Sequence, residues 1–511
     1  MSRADWIALF LSLMAVVAAF LVAARVFENI AHLEDEIAYV WQAEAIAGGH
    51  LSLPSPPHPR SFLVPFVVDY KGQRFGKYPL GWPVLLGIGV KLGIRDLVNP
   101  LLAGLGVWLT YLLGRKVFSE TVGLIAAGLT VASPFFLMNS GSFLSHSFGL
   151  VLSTAFALAW LDSFSSEPFS PRIVPTFVAA LALGLLALTR PLTAVAVGLP
   201  FALHGIYLLV AGDWETRRHV LAVGGLAVLL GSMNFLWQYA VTGDFFLNPY
   251  TLWWDYDKIG FGPGIGVTDD GHTLRIAWIN TRFSLRVGYS DLFGWGKYSW
   301  IFLPFGLIAA LIKRNWRAGL IGAVMLSLIL IYMAYWVGSW LYGPRYFYEG
   351  LYSATLFSAA GIAFLAGWPL RSGAAWRFYS GWKRARPLAV TGLVALLFTA
   401  NLVFYTPIRV GGMHGLYGME RADLRPFHTS EAQNLTPALV IVHPERWMDY
   451  GVLLSLEDSF LDTPFIFAYS RGIKVDADLA AEFPNRSTYH YYPDEPYMFY
   501  VGVRPEKSTS Y

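Results

Sequence analysis

Apolar runs long enough to cross a bilayer, about 17 to 25 residues each, recur along the first four-fifths of the chain and constrain it more than any other feature. They lie near residues 5 to 26, 97 to 114, 121 to 138, 146 to 164, 173 to 189, 192 to 211, 220 to 241, 299 to 312, 317 to 337, 346 to 367 and 388 to 406, which makes eleven spans. The run Trp6 to Ala24 is 19 residues long. A signal-peptide core is roughly 7 to 15 residues, so this run reads as a retained first span. Composition agrees, with 14% charged residues where a soluble chain carries roughly 25%. The charges are also uneven: residues 407 to 511 hold 9 basic and 14 acidic side chains, and the 406 residues before them hold 28 and 20. A fully soluble enzyme, a disordered chain and a nucleic-acid binder are excluded as main readings. What remains is an α-helical polytopic membrane protein with a water-facing C-terminal domain, and it has no cysteine to staple that domain.

Charge sets the orientation. Fourteen Lys and Arg fall in the short connections on one side, among them Arg115, Arg217, Arg218, Lys313, Arg377, Lys383 and Arg384, whereas the other side carries only Arg190 and Arg345. The positive-inside rule then puts the N-terminus in the cytoplasm and the tail outside. The stretch Pro79 to Gly93 is too short and too interrupted by Pro83 to cross, and reads as a helix lying in the outer interface. Three outside segments are longer than connectors: residues 27 to 96, residues 242 to 298, and the tail. This divides the chain into a membrane domain, 1 to 406, and an extracytoplasmic domain, 407 to 511. The first long loop opens with DEIAYVWQAEAIAGG, an amphipathic helix resting on the membrane surface and ended by Gly48 and Gly49, followed by an extended Pro-rich stretch, Leu53 to Pro59. In the tail, strand-like runs at 438 to 442, 465 to 469 and 498 to 503 alternate with turn signals and predict a small α/β fold.

Charged groups beside apolar spans are costly and therefore informative. Glu34-Asp35-Glu36 follows the first span on the outer side. Position alone fits a helix N-terminus, where carboxylates are favoured; the functional reading is a general base that takes a proton from an attacking alcohol. Lys77-Tyr78, Arg190 and Arg345-Tyr346 mark the other outer boundaries. Each cation alone fits a snorkelling side chain. Converging on one carboxylate-bearing face, they suggest a site for an anion such as a lipid-linked phosphate. His146 stands at the outer start of the fourth span as a substrate contact or a buried polar group. The Asp255-Tyr256-Asp257 spacing offers oxygen ligands, but two carboxylates in a loop are usually solvated. The alternating Gly260, Gly262, Gly264 and Gly266 follow no strand and read as a loop, not a nucleotide fingerprint.

The runs DEIAYVWQAEAIAGGHLSLP, KYPLGWPVLLG and VNPLLAGLGVWLTYLLGRKVFSETVGLIAAGLTVASPFF, joined later by GPRYFYE, resemble the GT-C membrane glycosyltransferases related to protein O-mannosyltransferases and lipid A aminoarabinose transferases. The resemblance covers residues 30 to 200 best. It implies a multi-pass enzyme of the plasma (inner) membrane that uses a sugar on a polyprenyl phosphate, with a glycan, lipid or protein as acceptor. It makes Asp35 the catalytic base with Glu36 as second acidic residue, and Lys77 and Arg345, with Tyr78 and Arg190, the grip on the donor phosphate. His146 and Tyr346 become possible substrate contacts. Relatives often carry an acidic residue before the fourth span, where this chain has Ser145-His146-Ser147, so no metal ligand is assigned and dependence on a divalent metal stays open. The partners it implies are the donor, the acceptor and membrane lipids, with no cofactor and no nucleic acid expected. The competing class is a transporter or flippase of a lipid-linked sugar, which places its ionisable groups nearer the bilayer midplane. A non-catalytic envelope scaffold is the third.

Overall fold

The computed structural model describes residues 2 to 164, 172 to 371 and 385 to 505. Arg377, Lys383 and Arg384, counted above for orientation, lie outside the described residues. Among the described residues, seven helices are long and apolar enough to cross a membrane: Arg3–Arg25, Arg95–Val117, His146–Phe164, Pro191–Ala211, Trp214–Thr242, Arg345–Ala366 and Ala385–Gly418. Ile173–Thr189 and Trp316–Tyr332 are apolar helices of 17 residues, at the lower limit for a crossing. The remaining two expected spans are broken. The run at 121 to 138 is a pair of helices, Glu120–Val131 and Pro134–Gly141, bent by 61°. Pro134 begins the second helix and Ser133 caps it, its hydroxyl accepting the Phe136 N–H at 3.2 Å, so the chain restarts where an uninterrupted span was expected. The run at 299 to 312 lies in Gly296–Ile312, a 3₁₀ turn at Gly296–Trp300 followed by the helix Leu303–Ile312, which is too short to cross alone. It belongs to a pair bent by 94° with Leu274–Asp291, which presents Trp278, Ile279 and Phe283 outward and lies within the segment first read as a loop.

The first long loop is more built than its composition suggests. Its opening helix, Glu34–Ala47, does not rest on a surface, because Ile37, Ala38, Tyr39, Trp41, Gln42, Ala43 and Ala45 are all buried. It packs on the short helix Gly81–Lys91, which fills the place of the expected interfacial helix. The Pro-rich stretch pairs at Leu53–Pro54 with Gln73–Gly76, which also pairs with Val67–Tyr70, so three short antiparallel strands fold the loop back on itself. The tail forms a four-stranded sheet. Ala438–Val442 lies between Phe465–Tyr469 and Ser487–Tyr491, all parallel, and Phe499–Tyr500 closes the edge antiparallel. The helix Ile473–Glu482 connects two of the parallel strands. Ser487–Tyr491 was not read as a strand, and of 498 to 503 only Phe499–Tyr500 is one.

Candidate active site

Asp35 sits in the first turn of Glu34–Ala47, and the neighbouring Glu36 holds that turn in place. Glu36 is 1% exposed. Its Oε2 accepts the backbone N–H groups of His32 and Leu33, both at 3.0 Å, and its Oε1 accepts that of Phe143 at 2.8 Å. Tyr342 donates a fourth bond at 3.4 Å. A carboxylate so occupied fastens the helix N-terminus to the turn before His146–Phe164 and has little left for substrate, and Glu36 does not line the cavity described below. Asp35 is turned the other way. Arg345 donates from Nη2 to Oδ2 at 3.0 Å, and Tyr78 donates its phenol to Oδ1. Burial would raise the Asp35 pKa, but Arg345, Tyr78 and Lys77 outweigh it and hold the carboxyl below its ordinary value. Burial and the Asp35 charge push the Tyr78 phenol well above its own, which keeps the bonding proton on Tyr78.

Each of the other cations also has a carboxylate. Lys77 Nζ lies 3.1 Å from Asp257 Oδ2, with the two side chains 4% and 1% exposed. The ammonium sits 3.8 Å from the Phe66 ring centre, 4.8 Å from Tyr250 and 4.9 Å from Trp254. Asp257 is therefore no solvated loop carboxylate; its other oxygen accepts from Tyr335 and Trp336. Arg190, in the link between Ile173–Thr189 and Pro191–Ala211, approaches Glu349 Oε1 to 3.2 Å and donates to Ser145 at 3.1 Å and Tyr332 at 3.3 Å. His146 Nδ1 lies 3.0 Å from the same Glu349 oxygen. Room for that carboxylate comes from Gly149, where an added Cβ would lie 2.7 Å from Glu349 Oε1. The Tyr346 ring stacks on Tyr332, with centres 4.9 Å apart. Three cations thus face Asp35, Asp257 and Glu349. Among these groups, Arg345 Nη1 and Glu349 Oε2 are buried with no hydrogen-bond partner.

Asp35, Lys77, Tyr78, His146, Arg190, Arg345 and Tyr346 all line one cavity of about 1500 Å³. Seven residues spread over more than 300 positions of sequence are therefore brought together, and Glu36 is the one predicted site residue left out. Glu349 and Tyr332 join the site without having been singled out in the sequence, and Asp257 joins it as the partner of Lys77, not as a solvated carboxylate; the signal for Glu349 was a carboxylate at the edge of an apolar span. Away from its charged end the cavity runs between Ile173–Thr189, Pro191–Ala211 and Trp214–Thr242, lined by Leu183, Leu199, Val228 and Phe235. Leu199, Val228 and Phe235 are exposed, so this arm opens along the apolar flank of the helices. Tyr417, Trp447 and Met448 of the tail complete the wall of the cavity. Among the described residues, the one cluster of three metal-ligating side chains lies elsewhere, in the tail.

A family model described as oligosaccharyl transferase STT3, N-terminal, matches residues 97–246. No curated protein matches the chain by sequence. Among solved structures, ArnT from Cupriavidus metallidurans bound to undecaprenyl phosphate superposes with a TM-score of 0.57 at 15% identity, over 95% of this chain and 89% of that one. The apo oligosaccharyltransferase of Archaeoglobus fulgidus superposes with a TM-score of 0.51 at 11% identity, over 89% of this chain and 64% of that one. The archaeal oligosaccharyltransferase AglB from Archaeoglobus fulgidus, in complex with an inhibitory peptide and a dolichol-phosphate, gives 0.50 at 12% identity over the same shares. The chain has the fold of the GT-C membrane glycosyltransferases.

Proposed function

We propose that this chain moves a sugar from a polyprenyl-phosphate donor to an acceptor hydroxyl on the outer face of the plasma membrane, inverting the anomeric carbon, with Asp35 as general base. The observation that carries the reading is the two-ended cavity: a charged end holding Asp35, Arg345 and Arg190, continuous with an apolar arm that opens along three membrane helices. A polyprenyl phosphate has the same two-ended chemistry. The structures of ArnT with undecaprenyl phosphate and of AglB with a dolichol-phosphate support such a ligand for this fold.

In this scheme the bond from the anomeric carbon to the phosphate oxygen breaks, and its electron pair leaves on the polyprenyl phosphate. The acceptor oxygen bonds the anomeric carbon from the opposite face, and its proton passes to Asp35. Arg345 serves both ends. Its Nη2 holds Asp35, and its guanidinium lines the cavity where the phosphate would sit. Charge grows on the phosphate as the bond breaks, so a fixed guanidinium there stabilises the transition state more than the ground state. A carboxylate stabilised below its ordinary pKa is a weak base. It takes the proton late, once bonding to the electron-poor anomeric carbon has made the acceptor hydroxyl acidic. Lys77, neutralised by Asp257 within its aromatic ring cage, shapes the donor site more than it charges it.

Mass spectrometry of envelope glycans and lipid-linked sugars from cells with and without the gene tests this reading. It predicts loss of one sugar substituent and accumulation of its polyprenyl-phosphate donor. Unchanged glycans together with an unchanged donor pool would overturn it.

A further inference from the structure

The tail carries a second constellation that the cavity does not use. Ala438–Val442 and Ser487–Tyr491 are parallel neighbours with Ile441 opposite His490. His443, the first residue past its strand, and His490 therefore meet at the carboxyl edge of the sheet, with Nε2 of His443 2.8 Å from Nδ1 of His490. The helix Ile473–Glu482 follows the third parallel strand and brings Asp476 over the same edge. One ligand atom from each of the three residues lies within 4.8 Å of the others. Such an edge, where parallel strands end and helices begin, is where ligands bind in open α/β sheets.

The donor set has the chemistry of a transition-metal site. Two imidazoles and one carboxylate suit Zn²⁺ and its neighbours and not Ca²⁺ or Mg²⁺, which prefer all-oxygen shells. Asp476 is 2% exposed. Its Oδ2 accepts from the Ser470 hydroxyl at 2.6 Å and its Oδ1 from the Arg471 N–H at 2.9 Å, bonds that fix the carboxylate and leave lone pairs for a cation. His443 is half-buried and stacks on Tyr492, with ring centres 4.4 Å apart. Imidazole nitrogens on a tetrahedral Zn²⁺ lie about 3.3 Å apart. The two rings would have to part by only about 0.5 Å, and His443, at the end of its strand, can yield that much.

We propose that His443, His490 and Asp476 bind a Zn²⁺-class ion, with water in the fourth position, and that the ion ties two strands and a helix of a domain without cysteines. The test uses the full chain, purified in detergent, stripped with chelator, loaded with ZnCl₂, desalted, and read by elemental mass spectrometry and thermal melting. About one zinc per chain is expected, as for a single site, with a raised melting temperature. His443→Gln and His490→Gln, which keep hydrogen-bonding capacity, should each lose the ion while matching the melting of the stripped wild type. A wild type without zinc after desalting, or variants that retain as much zinc as the wild type, would overturn the proposal. If either variant does not fold, X-ray absorption on the loaded wild type decides: a shell of two imidazole nitrogens plus oxygen supports the site, and any other ligand set refutes it.

Discussion

Replacing Asp257 isolates the ion pair that holds Lys77 in the cavity wall. The charges are 3.1 Å apart with both side chains almost fully covered. At an effective dielectric of about 20, the Coulomb attraction across that distance is about 5 kcal/mol. Desolvation of both ions offsets much of it, but removing one partner leaves the other buried and uncompensated, which costs about 3 to 5 kcal/mol. The Phe66, Tyr250 and Trp254 rings recover part of this for Lys77, about 0.5 to 2 kcal/mol by cation–π attraction. Asp257→Asn keeps an oxygen for Tyr335 and Trp336 and should cost about 3 kcal/mol. Asp257→Ala also orphans those two donors and should cost at least about 1 kcal/mol more. Adding Lys77→Met to Asp257→Asn removes the stranded ammonium and should recover about 2 kcal/mol relative to the sum of the single changes. Thermal melting of the four proteins in one detergent reads this as a cycle. Melting shifts that simply add would show that the pair is not coupled and would refute the reasoning.

Other residues yield equally specific outcomes. Asp35 is held below the ordinary carboxylate value largely by Arg345, against burial, so its contribution to stability is present above about pH 4 and is lost as pH falls through the lowered folded value. For the same reason the acid limb of the transfer rate should lie below about pH 4 and move up in Arg345→Met, and an unmoved limb would separate Arg345 from Asp35. Gly149→Ala drives a methyl group against Glu349 and should loosen its contacts to Arg190 and His146. It should cost about 1 to 3 kcal/mol and raise the donor KM, and wild-type melting and kinetics would contradict this. Glu36→Gln cannot satisfy all the N–H donors that the carboxylate now accepts. It should lower both melting temperature and transfer, the melting by about 2 kcal/mol of stability, and a variant that lost activity at unchanged stability would make Glu36 catalytic.

What could be read from the sequence was the solvent of each part and the positions of isolated charges. Asp35, Lys77, Arg190 and Arg345 were legible because a charge beside an apolar span needs a reason, and the structure brings all four to one cavity. Their partners were not. Asp257 lies 180 residues from Lys77, and Glu349 lies more than 150 from Arg190, and no local pattern encodes such pairings. Glu36 was paired with Asp35 by adjacency, but consecutive residues on a helix point about 100° apart, so one faces the cavity and the other the backbone. The break at Ser133-Pro134 is encoded as a cap followed by proline, but the long apolar run around it masks the signal. The strand Ser487–Tyr491 lacks the apolar composition of its neighbours because only His490 and Tyr491 in it are buried.

The central claim is that Asp35 takes the acceptor proton while the scaffold around it stays intact. Asp35→Asn preserves size and one of the two oxygen acceptors that Arg345 and Tyr78 now share. The direct measurement is release of polyprenyl phosphate from a polyprenyl-phosphate sugar by purified wild type and Asp35→Asn in lipid nanodiscs, with the melting temperature of each. The account predicts that Asp35→Asn still folds, its melting lowered by no more than loss of the Arg345 ion pair explains, with transfer reduced at least about 10²-fold, the lower range for a lost general base. Wild-type turnover by Asp35→Asn would contradict it.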